Sequence, residues 1–374
     1  MISLSMTVKQ ADMERLAVLR DQLYEHPRLT YLFFELTDAC NLACLHCGSS
    51  ACPQNHTYLP ADDVRRIMRR IAEAYDPHNI MICFTGGEPL LHPDLCDLIA
   101  CARQYGFTCG ITSNGTLIDP DMARRLVQSG LNSVSFSVDG LQDTHDWFRN
   151  RPGAFERSLR GIRNLLEASR GTVVTQITSV MHKKNFHQLD ALYELAVQIG
   201  VDSWRPINLE PIGRALSHND LLLDADQLRT LLTYIRDKRF SAQVEMDVTY
   251  GCAHFLTEEF EHMVRDSYFI CGSGIFVASV LCNGDIYSCL DIERRPELVQ
   301  GNIAQDDFVE IWETRFQAFR RDRTASCASC RACTDRRYCR GDAAHTWDYD
   351  TDRLMLCMKQ LFENKGEHTY ETDY

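Results

Sequence analysis

Two rhythms of apolar and polar positions alternate along this chain. Short apolar runs bounded by turn-forming residues read as strands: Tyr31 to Leu36, Ile80 to Phe84, Phe107 to Thr112, Ser133 to Val138, Val173 to Val180 and Val201 to Ile207. Between them lie segments with helical spacing: Pro93 to Tyr105, and Asp121 to Ser129 closed by Gly130. A further helix is expected from Phe155 to Ala168, with Leu159, Ile162, Leu165 and Leu166 on one face, and another through Leu189, Leu192, Leu195, Ala196 and Ile199. The regular strand–helix order predicts an α/β fold with a parallel sheet and helices outside it. Six such units make a partial (β/α)6 TIM-like barrel, curved and incomplete, with its chemistry at the C-terminal ends of the strands.

Ahead of the series, residues 8–25 place Met13, Leu16, Leu19 and Leu23 at helical spacing, so residues 1–30 are expected to form an amphipathic lead-in. That lead-in is too short to be a peptide-recognition domain of its own. After the last strand Pro211 and Gly213 break the pattern. Asp224 and Gln227 then open a helix as a capping box, with Leu228, Leu231, Leu232 and Ile235 on its apolar face. From about Val244 the alternation stops and cysteines return. The divisions expected are a barrel over 31–215, a bridging helix and strand over 216–250, and a cysteine-rich domain over 251–374.

Composition narrows the chemistry. A net charge of −13 disfavours a broad nucleic-acid surface, which needs clustered Lys and Arg. No apolar stretch reaches membrane-spanning length and the N-terminus has no signal-like run, so a cytosolic location is expected. Seventeen cysteines in a reducing compartment argue for metal ligation rather than disulfides.

Three of those cysteines lie close together in Cys40-Asn-Leu-Ala-Cys44-Leu-His-Cys47, just past the first strand. Three thiolates can converge on one centre but fall one short of the usual four, which leaves a position open to an outside ligand. Polar, Gly-containing motifs follow later strands: Thr85-Gly-Gly-Glu88, Thr112-Ser-Asn-Gly115 and Ser137-Val-Asp-Gly140. Each alone reads equally as a turn, but all fall on the rim that carries the cysteine loop.

The cysteine loop, with three and then two intervening residues, resembles that of the radical S-adenosylmethionine (radical SAM) enzymes, and Gly86-Gly87-Glu88-Pro89 matches their GGEP turn. The resemblance implies a 4Fe-4S cluster on Cys40, Cys44 and Cys47 whose open iron is chelated by SAM. It implies that Gly86, Gly87 and Glu88 meet the methionine amino group, and that Ser113, Asn114, Ser137 and Asp139 meet ribose or carboxylate groups. Asp139 reads equally as a cap of the following turn. His46 is expected to pack near the adenine, while His145 and His182 read as surface or hydrogen-bonded core residues. Reductive cleavage of SAM to methionine and a 5′-deoxyadenosyl radical, which removes hydrogen from an unactivated carbon, is the activity implied. No side chain stands out as a catalytic acid or base.

The C-terminal region carries Cys271, then Cys289 in Gly284-Asp-Ile-Tyr-Ser-Cys289 after a hairpin expected at Ile275 to Leu281 and Ile286 to Tyr287. Cys327, Cys330, Cys333, Cys339 and Cys357 follow. From Cys330 the spacing resembles the SPASM extension, which holds auxiliary iron–sulfur clusters. Carried over, the pattern gives Cys330, Cys333, Cys339 and Cys357 to an outer cluster, and Cys271 and Cys289 to an inner one. Ala343 stands where the inner cluster expects another cysteine. Cys327 is the favoured substitute, with Cys252 and Cys282 as others, an open iron or a smaller cluster as further solutions, and a zinc module as the alternative for the outer thiolates. Cys52, Cys83, Cys96, Cys101 and Cys109 read as packing residues. Trp312 and Phe316 are expected in the core on a helix from Phe308 to Phe319.

SPASM-bearing members mostly modify peptides, so the resemblance points first to a maturase acting on a ribosomally made precursor peptide. Its partners would be that peptide, a reductant such as flavodoxin or ferredoxin, and a separate leader-binding protein. Rivals are an anaerobic sulfatase maturase, a small-molecule enzyme such as a porphyrin decarboxylase, and a non-catalytic iron–sulfur sensor or electron carrier. An intact GGEP turn disfavours the carrier, which has no need of a SAM pocket.

Overall fold

A computed structural model describes residues 6–363. Strand and helix alternate through β1 (Tyr31–Glu35), α2 (Ala61–Ala74), β2 (Met81–Thr85), α3 (Leu95–Tyr105), β3 (Thr108–Ser113), α4 (Pro120–Gln128) and β4 (Ser133–Ser137), after a leading α1 (Met6–Glu25). They continue through α5 (Gln142–Phe148), α6 (Ala154–Ser169), β5 (Val174–Met181), α7 (Leu189–Ile199), β6 (Ser203–Asn208) and α8 (Ala225–Arg239). Strands β1 to β6 pair in sequence order and all in parallel. The six βα units expected from the sequence are therefore present, in an open rather than a closed sheet.

The sheet extends past the six strands at both ends. A short β7 (Asp247–Val248) pairs in parallel with β6, so Val201 to Ile207 is not the last strand of the series. On the other side β8 (Val277–Val280) pairs in parallel with β1. It turns back as a hairpin with β9 (Asp285–Tyr287), which pairs with β10 (Gly301–Asn302). The hairpin expected in the cysteine-rich region thus continues the barrel's own sheet. One apolar core runs from Leu32, Phe34 and Phe84 through Trp204 to Tyr287, Ile303 and Trp312.

Several elements differ from the sequence reading. Helix α2 was legible, since Val64, Ile67, Met68 and Ile71 repeat at helical spacing and are all buried, yet it is absent from the pattern drawn above. Helix α1 buries Met13, Ala17 and Arg20, while Leu19 is exposed. The reason is its partner: the Arg20 guanidinium donates to the carbonyls of Arg337 and Tyr338, both at 2.7 Å, so the lead-in packs on the C-terminal region. The helix expected to reach Phe319 stops at Thr314. Phe316 adopts φ 75° and its N–H donates to Gln300 Oε1 at 2.8 Å, which turns its ring back against Trp312. Both rings are core, as expected.

Trp204 and Trp312 are the largest fully buried side chains among the described residues, and the Trp204 Nε1–H donates to Ser179 Oγ at 3.0 Å. Trp204→Ala is expected to cost about 3–5 kcal/mol through the cavity and the lost bond, read as a fall in the urea midpoint. A change below about 1 kcal/mol would contradict this packing.

Candidate cofactor site

The cysteine loop follows β1 and is fixed to the GGEP turn after β2. Gly87 N–H donates to Thr37 O at 2.7 Å and Glu88 N–H to Ala39 O at 2.9 Å. A Cβ at Gly86 would stand 2.4 Å from Thr37 O, and Gly86 has φ 147°, a conformation that only glycine adopts freely. From the other side Arg214 holds the loop, Nε donating to Cys44 O at 2.7 Å and Nη2 to Ala51 O at 3.0 Å.

Each sulfur of the loop meets a polar neighbour. Leu42 N–H donates to Cys40 Sγ at 3.4 Å, Arg149 Nη1 lies 3.6 Å from Cys44 Sγ, and Ser49 Oγ lies 3.4 Å from Cys47 Sγ. N–H donors aimed at buried sulfur suit thiolates that carry the charge of an iron–sulfur cluster. Without iron, burial and then Glu88 push the Cys40 thiol up to about 12. Such a thiol gains from ligation, because the metal takes the proton's place. The residues fit the group.

Glu88 is fully buried and already engaged. Its Oε1 accepts from Ser113 Oγ at 2.8 Å and from Leu90 N–H at 3.3 Å, and its Oε2 accepts from Asn114 N–H at 2.9 Å. Burial raises it to about 7 against those bonds. Glu88, Ser113 and Asn114 therefore converge, with Glu88 tying the β2 and β3 rims together. Asp139 is also sealed: Oδ1 accepts from Val180 N–H at 2.9 Å and Oδ2 from Arg149 Nε at 2.5 Å. Burial works to raise it, but the Arg149 guanidinium prevails and holds it near 2. Ser137 lies half-buried at the end of β4.

Three imidazoles surround this rim. His46 stacks on Phe148 with ring centres 4.0 Å apart, and His182 lies against the same ring at 4.2 Å. His145 Nδ1 accepts from Asp139 N–H at 3.1 Å. His145 and His182 are buried rather than on the surface, and His46 Nδ1, His145 Nε2 and His182 Nε2 are sealed without a partner.

Cys330 neighbours Cys327, Cys333 and Cys357, and its thiol is pushed up by burial first and then by those sulfurs. Cys339 neighbours Cys357. Cys327 packs with Cys330 and Trp347. Cys289 neighbours Cys271, whose sulfur accepts from Ala344 N–H at 3.4 Å. Burial works to raise Cys271, but Arg323 and nearby N–H groups hold it below its usual value, and Arg323 Nε is buried without a partner. Cys252 lies 3.7 Å from Asn208 O, and Cys282 N–H donates to Glu35 Oε2 at 3.2 Å. Cys83 and Cys109 are packed in the interior, Cys96 and Cys101 lie partly buried against the core, and Cys52 contacts Asn55 at 3.2 Å.

One buried chain escaped the sequence reading. His345 Nε2 and His254 Nε2 donate to the two oxygens of Glu210 at 2.6 and 2.7 Å, and His254 Nδ1 lies 3.1 Å from Asp342 Oδ2. It ties the segment after β6 to the segment after Cys339. Its members are far apart in sequence and share no spacing, so no local signal announced them.

The chain matches the radical SAM superfamily over residues 34–196 and the SPASM iron–sulfur cluster-binding domain over residues 271–334. It is 30% identical to an AdoMet-dependent heme synthase of Nitratidesulfovibrio vulgaris, over 88% of this chain and 91% of that one. It is 29% identical to the mycofactocin maturase MftC of Mycolicibacterium smegmatis, over 80% and 74% respectively. The crystal structure of Streptococcus suis SuiB bound to S-adenosylmethionine superposes with a TM-score of 0.72 at 18% identity, covering 91% of this chain and 79% of that one. The protein belongs to the radical SAM superfamily and carries a SPASM domain. It is an enzyme that uses SAM, a 4Fe-4S cluster and auxiliary iron–sulfur chemistry. Among the described residues no helix is long and apolar enough to cross a membrane.

Proposed function

We propose that this enzyme matures a ribosomally made precursor peptide, installing a crosslink or another side-chain or backbone modification. Cys40, Cys44 and Cys47 hold the SAM-binding cluster; Gly86, Gly87, Ser113, Asn114 and Ser137 line the SAM site, with Glu88 and Asp139 supporting it from behind. Cys330, Cys333, Cys339 and Cys357 hold an outer auxiliary cluster, and Cys271 and Cys289 belong to an inner site. When bound, the cofactors supply a 5′-deoxyadenosyl radical that takes hydrogen from the substrate. The chain orients SAM, seals the loop between α5 and Arg214, and excludes water. A flavodoxin- or ferredoxin-like reductant and a separate leader-binding protein are the partners of this reading.

The observation that carries it is the state of the buried cations. Of the buried arginines, Arg149 is paired with Asp139 and Arg265 with Glu261, while Arg20 and Arg323 are turned onto backbone carbonyls. A substrate bearing several carboxylates would need such charges free, whereas a peptide does not. Similarity to a maturase, MftC, supports the same reading. A second reading is modification of a carboxylate-bearing tetrapyrrole, favoured by the match to heme synthases along nearly their whole length.

Anaerobic reduction with SAM separates the two. A peptide encoded beside this chain is expected to raise 5′-deoxyadenosine release at least tenfold and to change in mass. Release driven instead by an iron coproporphyrin, with loss of carbon dioxide, would replace the proposal by the second reading.

A further inference from the structure

Arg149 stands at the point where the barrel scaffold meets the cysteine loop. It follows α5 directly and is buried, with a fractional exposure of 8%. Its Nε donates to Asp139 Oδ2, and Asp139 is itself locked by Val180 N–H on its other oxygen and by Asn185 Nδ2 on its carbonyl, at 2.9 and 2.6 Å. The far end of the guanidinium reaches Cys44 Sγ at 3.6 Å, a normal length for N–H···S because sulfur is large. The backbone is pinned at the same place, Leu45 N–H donating to Phe148 O at 2.9 Å. One face of the guanidinium is therefore fixed by a carboxylate and the other is aimed at a single sulfur.

We propose that Arg149, held in register by Asp139, sets the reduction potential of the loop's cluster through its N–H bond and charge at Cys44. Adding an electron makes a cluster and its thiolates more negative. A fixed positive donor at one thiolate stabilises that form more than the oxidised one. Arg149 stays charged at any working pH, so its influence is constant rather than switched. Arg149 is a positioning residue in this role. The geometry also explains why Asp139, drawn from the sequence as a SAM contact, is fully sealed: its oxygens hold Arg149 and β5.

The test is a redox titration of the full chain without SAM, following the electron-spin signal that changes when SAM is later added. Arg149→Met is expected to lower the midpoint by at least a tenfold change in the reduction equilibrium, which is 59 mV for a one-electron couple. Arg149→Lys, which keeps the charge but loses the rigid fork, is expected to lower it by less. A change below twofold in Arg149→Met, or a rise, overturns the inference. Should that variant take up no iron, an unchanged midpoint in Arg149→Lys overturns it instead. The inference rests on Cys40, Cys44 and Cys47 as ligands: a parent chain with no SAM-responsive signal refutes that assignment, whereas an unshifted midpoint refutes only the role of Arg149.

Discussion

Gly87→Ala is expected to strip the cysteine loop of iron and to cut 5′-deoxyadenosine formation by about a hundredfold or more. The added Cβ would stand 2.0 Å from Ala39 O, 2.5 Å from Ala39 C and 3.0 Å from Cys40 Cβ. None of these atoms is the far end of a flexible side chain. The loop backbone cannot retreat without breaking the bonds from Gly87 N–H to Thr37 O and from Glu88 N–H to Ala39 O. Overpacking costs about 1–3 kcal/mol where side chains can adjust, and more where backbone must move. Iron per chain after anaerobic reconstitution reads the effect directly. Gly48→Ala is the control in the same loop, since its Cβ would meet nothing nearer than Ile212 Cδ1 at 3.5 Å. Parental iron and SAM cleavage in Gly87→Ala would show that the turn and the loop are not packed as described.

Acid is expected to unfold the iron-free chain steeply between pH 6 and 5. Burial lowers His46 to about 3, and His145 and His182 to about 4, from an ordinary 6.5. A histidine depressed in the folded state contributes stability above its unfolded value, and that stability is lost as pH falls toward its folded value. In this window the unfolded chain therefore takes up three protons that the folded chain refuses. Glu88 works the other way, because the folded chain takes its proton near 7 and the unfolded chain near 4.5. The net difference is two protons, or about 3 kcal/mol of stability lost per pH unit. His254 and His345, raised in the folded state to about 10 and 9, act only on the alkaline side of 6.5. Urea denaturation at stepped pH measures the slope, and His182→Gln should flatten it by about half of the net effect. A flat profile from pH 7 to 5 would mean that these rings are not sealed as neutral groups.

The parts of the fold that repeat locally were legible. Alternation of apolar runs and helical faces marked β1 to β6 and most of their helices, because each strand and helix must bury a periodic set of side chains. The cysteine loop and the GGEP turn were legible as chemistry because metal ligands and close backbone approach tolerate few residue types. Strand β7, with only two residues, was below the length at which periodicity speaks. The apolar face of α1 was misjudged because its partner, the segment around Tyr338, lies more than three hundred residues away.

By itself the sequence determined a parallel α/β fold in which every polar motif follows a strand, and it put Cys40, Cys44 and Cys47 at the spacing of the radical SAM loop. Spacing along a chain is a local property, and local chemistry reads it. Only the tertiary structure brought the Glu88 carboxylate to Ser113 and Asn114, Asp139 to Arg149, and Cys327 beside Cys330 and Trp347. It alone brought Arg149 to Cys44 and joined Glu210, His254, Asp342 and His345 into one chain. Those are pairings between residues distant in sequence, fixed by how helices and loops pack around the strand ends, and no spacing rule records them.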